Sequence, residues 1–189
     1  MDQDQAHRAL STLGDVLGAR GLRYEVVVIG GSGLLLLGLV VRPTADVDVV
    51  ALVQGGEYVL AKPLPTPLKK AQAEVGAALG LGDNWLNPGP TDLLEFGLPE
   101  GFGGRVERLE FGSLTVHLAG RFDQICFKLY AAVDQGSRSK HFTDLRQLDA
   151  TPDELVGAAQ WARRHDPSEG FRSGLVEALR LLGVESDDV

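Results

Sequence analysis

Apolar and polar residues recur along this chain with two different periods, and the change falls near residue 120. Ala6, Leu10, Leu13 and Leu17 follow one another at three- and four-residue spacing, which predicts a helix over 3–20 that stops at Gly21. Arg23-Tyr24-Glu25-Val26-Val27-Val28-Ile29 is a β-branched run suited to a buried strand. It breaks at Gly30-Gly31-Ser32-Gly33 and resumes as Leu34–Val41, read as a helix. A second buried strand, Val47–Val53, follows Asp46. Lys62-Pro63-Leu64-Pro65-Thr66-Pro67 reads as a stiff connector, with Thr66 and Pro67 capping a helix over 68–80.

Glycine and proline are dense over 82–104, which reads as a long loop. Residues 105–111 and 114–119 then alternate as a hairpin around Gly112-Ser113. From 121 the period is about 3.6. Thr151-Pro152-Asp153-Glu154 carries a capping-box pattern with proline in the first turn, opening a helix to about 164. Another helix is expected over 169–182, ending at Gly183. The outline is an α/β part, 1–120, followed by a helical part, 121–189.

Composition narrows the class. With 189 residues, 44% hydrophobic and 23% charged, the chain suits one good-sized globular domain or a domain with an appendage. The single cysteine, Cys126, excludes an intramolecular disulfide framework and a Cys-rich zinc site. The four histidines lack metal-ligand spacing. An acidic start, Met1-Asp2-Gln3-Asp4, is unlike a secretory leader, and the uncharged stretch 26–41 is shorter than the roughly 20 residues needed to span a bilayer. A cytoplasmic protein without a membrane role is the expectation.

The candidate chemistry lies between Gly30 and Asp48. Glycines between a buried strand and a helix let backbone N–H groups approach a phosphate, and Ser32 adds a hydroxyl. Asp46 and Asp48, two apart on a strand, share one face. Such a pair suits Mg²⁺, which takes one or two carboxylates plus substrate phosphates. A phosphate-binding P-loop would require a lysine, which 34–41 lacks, and the dinucleotide fingerprint fails at Leu36, its sixth position when counted from Gly31.

Gly30-Gly31-Ser32, Gly38, Arg42, Thr44, Asp46 and Asp48 together resemble the signature of minimal nucleotidyltransferases of the DNA polymerase β superfamily, and within it the abortive-infection and type IV toxin-like bacterial branch. A second block resembles that branch as well: Asp123 through Lys128-Leu129-Tyr130-Ala131-Ala132, then Lys140 and Asp144-Leu145. The resemblance implies an α/β (α+β), polymerase-β-like core with a small mixed sheet, and a C-terminal helical region closing one side of a cleft. It implies transfer of a nucleoside monophosphate from a nucleoside triphosphate to an acceptor hydroxyl on an RNA end such as that of tRNA, on a protein or on a small molecule. It places Mg²⁺, or Mn²⁺, on Asp46 and Asp48 and the triphosphate on Gly30, Gly31, Ser32, Arg42, Thr44 and Lys128. Asp144 completes the catalytic set with Asp46, Asp48 and Lys128, and an antitoxin protein is an implied partner.

The wider superfamily has a third carboxylate on a later strand; the hairpin offers no clear one, and Glu110 and His117 are its candidates to approach the metal. Absence of that carboxylate would favour a second reading, a catalytically inactive nucleotide-binding or regulatory module of the same fold. A helical wheel places Cys126 on the apolar stripe with Phe122, Ile125, Leu129 and Val133, and Lys128 on its flank. Asp144 has Lys140 as an i,i+4 alternative partner.

Charge then becomes uneven. The chain carries a formal −8, yet residues 121–164 hold seven Lys/Arg and six Asp/Glu, a net of +1. That acidity disfavours coating of nucleic acid and is compatible with a confined phosphate cleft, to which Arg42, Lys62, Lys69 and Lys70 add cations near the aspartate pair.

Overall fold

A computed structural model describes residues 1–185. Contacts divide the chain into two units, Met1–Ala119 and the residues from Gly120 on. The expected helical part runs to 189, and its last four residues lie outside the described ones. The architecture is mixed α/β with a small mixed sheet and several C-terminal helices. No helix among the described residues is long and apolar enough to cross a membrane.

In the first unit, helix α1 (Gln3–Ala19) opens with a capping box between Asp2 and Gln5 and buries Ala6, Ala9, Leu10, Leu13 and Leu17. Strand β1 (Tyr24–Ile29) leads directly into α2 (Gly30–Leu36). The helix expected over Leu34–Val41 thus begins at the glycines themselves and ends five residues earlier. Gly38, at φ 70°, lies in the turn that follows. Strand β2 (Val47–Gln54) is followed by β3 (Glu57–Leu60), which pairs with it antiparallel and was not foreseen. Helix α3 (Thr66–Leu79) starts at Thr66, so Thr66 does not cap it; Pro65 holds that position and supplies no side-chain bond.

The segment 82–104 is not a loop. It contains β4 (Leu86–Asn87), a 3-10 turn at Gly89–Thr91, α4 (Asp92–Phe96) and a second 3-10 turn at Phe102–Gly104. Its anchor is Trp85, 1% exposed, whose indole N–H donates to the Gln72 carbonyl at 2.9 Å. A buried indole with its one donor satisfied holds this glycine-rich stretch against α3. The hairpin is as expected, with β5 (Glu107–Phe111) and β6 (Leu114–Leu118) joined through Gly112-Ser113.

The sheet order is β3-β2-β1-β6-β5, with β4 also on β2. β1 runs parallel to β6 and antiparallel to β2, while β4 is parallel to β2 through Val47–Leu86 and Asp48–Asn87. One face packs on α1 and α3 through Val26, Val28, Leu114, Val116 and Leu118. Between β1 and β2 the register slips: Val27 pairs with Ala51 and Val28 with Val49, leaving Val50 as an extra residue. Leu52, Val49 and Val47 consequently all reach the same core. Asp48 is left on the opposite face of β2.

The second unit consists of α5 (Arg121–Gln135), α6 (Lys140–Leu148), α7 (Pro152–His165) and α8 (Glu169–Leu181), with α5 contacting the other three. The Thr151–Glu154 capping box forms as its sequence predicts. Glu154 also takes two bonds from Arg121, at 3.2 and 3.1 Å. Partial burial alone would raise the Glu154 pKa, but the Thr151 N–H and the Arg121 guanidinium outweigh it and hold the carboxyl below the usual range. Phe127, Tyr130, Trp161 and Phe171 pack edge-on or tilted around the α5–α7–α8 junction.

Candidate functional site

The turn from β1 to α2 and the first residues of β2 bring seven of the expected residues together. Gly30 has φ +73°, a region that side chains rarely adopt, and a Cβ there would lie 2.6 Å from Asp48 Oδ2. Only glycine lets the backbone turn here with the aspartate lying against it. A Cβ on Gly31 would meet Arg42 Nη2 at 3.1 Å and Thr44 Oγ1 at 3.3 Å. The Asp48 carboxylate therefore lies over one glycine, and the Arg42 guanidinium with the Thr44 hydroxyl lies over the next. Thr44 Oγ1 donates to the Asp46 carbonyl at 3.1 Å, which holds the residues entering β2.

Ser32 is fully buried. Its hydroxyl donates to the Ile29 carbonyl at 3.2 Å and accepts the Asp48 N–H at 3.1 Å. Both bonds are internal, and they tie the glycine turn to the strand that carries the aspartates.

Asp46 and Asp48, each half-buried, converge on one atom that sequence reasoning missed. Asn87 Nδ2 donates to Asp46 Oδ2 at 2.9 Å and to Asp48 Oδ1 at 3.1 Å. Asn87 is on β4, directly opposite Asp48. A two-residue strand has no periodicity to detect. The one sequence signal was the apolar doublet Trp85-Leu86 just before it, within a segment otherwise rich in glycine and proline.

Two carboxylates held side by side by one amide donor, which takes a single oxygen of each, are a suitable donor set for a divalent cation that binds through their other oxygens and completes its shell with water and phosphate. Among the described residues no group of three or more His, Cys, Asp or Glu side chains converges as a metal site. Neither candidate for a third group beside the metal, Glu110 or His117, joins the pair. Glu110 is on β5, separated from β2 by β1 and β6, and pairs with Arg108 at 3.3 Å on the surface. His117 Nε2 lies 2.8 Å from Glu25 Oε2. Level with Asp48 and its partner Ile29, β6 has run out into Ala119, which has no polar side chain.

In the second unit Lys128 and Asp144 meet. Lys128 Nζ lies 2.6 Å from Asp144 Oδ2, with side-chain exposures of 2% and 0%. The wheel put Lys128 on a flank, but it is inside, joined to α6 by a buried ion pair. Asp144 thus has Lys128, across the helix pair, where Lys140 was the local alternative. Cys126 is buried, as its place on the apolar stripe predicts.

No curated protein and no solved structure matches the chain. Residues 8–147 match a family described as "Nucleotidyltransferase of unknown function (DUF6036)", a span that includes the glycine turn, the aspartate pair, Asn87, Lys128 and Asp144. The chain belongs to this nucleotidyltransferase family.

Proposed function

We propose that this protein transfers a nucleoside monophosphate from a nucleoside triphosphate to an acceptor hydroxyl. The acceptor oxygen bonds to the α-phosphorus, the bond from that phosphorus to the bridging oxygen breaks, and pyrophosphate leaves. The acceptor proton passes to a carboxylate or to water. The observation that carries the reading is the convergence of Asp46 and Asp48 beside the Gly30–Gly31 turn, in a chain of a nucleotidyltransferase family.

In this reading Asp46 and Asp48 hold Mg²⁺ or Mn²⁺, which supplies charge neutralisation for the phosphates and the departing pyrophosphate. Arg42 and Thr44, lying against Gly31, contact phosphate oxygens, and the absence of a Cβ on Gly30 and Gly31 lets the Asp48, Arg42 and Thr44 side chains gather against the turn where the triphosphate binds. Ser32 acts by holding Asp48 in place. Catalysis of this kind is mostly positioning and electrostatic stabilisation. Lys128 as a triphosphate contact and Asp144 as its partner in catalysis follow from the family resemblance, as do the toxin-like character, an RNA 3′ end as acceptor and an antitoxin partner.

The test is incubation of the full chain with labelled triphosphates, Mg²⁺ or Mn²⁺ and total cell extract, beside the Asp46→Asn/Asp48→Asn double variant. Label in RNA, protein or a small molecule identifies the acceptor class, and equal labelling by the double variant would sink the reading. An RNA acceptor further predicts steep salt dependence. That no third acid stands beside Asp48 among the described residues favours one alternative, an inactive nucleotide-binding module; triphosphate binding without any transfer would establish it.

A further inference from the structure

We propose that Asn87 is the positioning residue of the divalent-cation site: its amide group holds the Asp46 and Asp48 carboxylates convergent, ready for the cation. This rests on the nucleotidyltransferase reading above. The orientation of the amide is determined by its partners. Asn87 Oδ1 accepts the Gly89 N–H at 2.9 Å, and a backbone N–H can only donate. The nitrogen end must then face the aspartates, which as carboxylates can only accept, and it reaches both at 2.9 and 3.1 Å.

The backbone position is equally constrained. Leu86, fully buried, pairs with Val47, and the Val47 N–H donates to the Trp85 carbonyl at 2.6 Å. Burial of Trp85 and Leu86 therefore delivers Asn87 to the level of Asp48, and the amide fixes its rotamer there. Two carboxylates this close repel each other. A neutral donor with two hydrogens satisfies one oxygen of each and adds no charge. Aspartate at the same position would increase the repulsion, and lysine would bring a full positive charge to compete with the metal. Asparagine keeps the pair together while leaving its net charge for the cation. Outer partners that orient metal ligands in this way commonly govern affinity by 10–100-fold.

The test uses Mn²⁺ as probe with the full chain, reading bound and free Mn²⁺ by electron paramagnetic resonance and unfolding by circular dichroism. Asn87→Ala is expected to weaken Mn²⁺ binding by about tenfold or more. Asn87→Asp keeps the acceptor for Gly89 but replaces the donor with a third carboxylate. It is expected to lower the Tm at pH 7 without Mn²⁺, and to show a larger Mn²⁺-induced rise in Tm than wild type. A merely structural asparagine would lower stability in both variants and leave Mn²⁺ affinity and the Mn²⁺-induced rise alone. Less than a threefold loss of affinity in Asn87→Ala, or no enlarged rise in Asn87→Asp, overturns the proposal. If the wild type binds no Mn²⁺, or the Asp46→Asn/Asp48→Asn variant binds it as well, the site reading itself fails, and this inference with it.

Discussion

The backbone N–H of Asp48 donates to the Ser32 hydroxyl at 3.1 Å, a bond that spans sixteen residues and joins the glycine turn to the aspartate strand. Because the same hydroxyl donates to the Ile29 carbonyl, Ser32 links the end of β1, the start of α2 and the start of β2. Ser32→Ala removes both bonds and leaves a partly buried N–H without its partner. The expected cost is about 1–3 kcal/mol in urea unfolding, with weaker Mn²⁺ binding as Asp48 loosens.

Substitution of the two glycines should separate backbone strain from local crowding. Gly30→Ala places a side chain at φ +73° and a methyl within 2.6 Å of Asp48 Oδ2. About 1–3 kcal/mol of stability and most cation binding should be lost. Gly31→Ala meets the far end of the Arg42 side chain, which can yield. Thermal unfolding should show a smaller loss there, and triphosphate titration a specific weakening.

Lys128→Met leaves Asp144 charged, buried and without its cation, a change expected to cost about 3–5 kcal/mol. Adding Asp144→Leu should recover much of that stability, since two apolar side chains can replace a buried ion pair. Urea unfolding of the single and double variants checks this. Transfer activity that stays lost in the stable double variant would show that the Lys128–Asp144 pair does more than join α5 to α6.

Acid should destabilise the protein through His165. Burial, reinforced by Arg164, holds its pKa below the ordinary 6.5, so the folded state resists protonation that the unfolded chain accepts. The contribution is complete above pH 6.5 and is lost as pH falls below it. Tm measured from pH 8 to 5 should decline over that window, and His165→Gln should flatten the decline whatever it does to the level. The Glu154 contribution, with its pKa lowered from 4.5, disappears only further down, so the two are distinguishable by pH.

Much of the candidate site was legible because it is local. Gly30, Gly31, Ser32, Arg42, Thr44, Asp46 and Asp48 lie within one short strand–turn–strand passage, and proximity along the chain becomes proximity in space. Asn87 was hidden because it arrives from a distant segment through a two-residue pairing, anchored by an indole whose partner on α3 no periodicity reveals. Lys128 illustrates the same limit in a helix. A wheel records which face a residue occupies, but not that an aspartate on the following helix neutralises it there. Thr66 was displaced from its expected capping role by one residue, since Pro65 already supplies the extended backbone that precedes the helix.

The extra residue at Val50 has a consequence for insertions and deletions. Alternation restarts there, so β2 consists of two phases: one directs Leu52 into the core, and the other directs Val47 and Val49 there and Asp48 away from it. Removal of a single residue at this point would close the bulge into an unbroken alternation, with Val47, Val49 and Leu52 still directed into the core and the Asp48 carboxylate still away from it. Residues 49–51 should thus tolerate the loss of one residue as well as many apolar substitutions, with Asp48 and Leu52 keeping their faces.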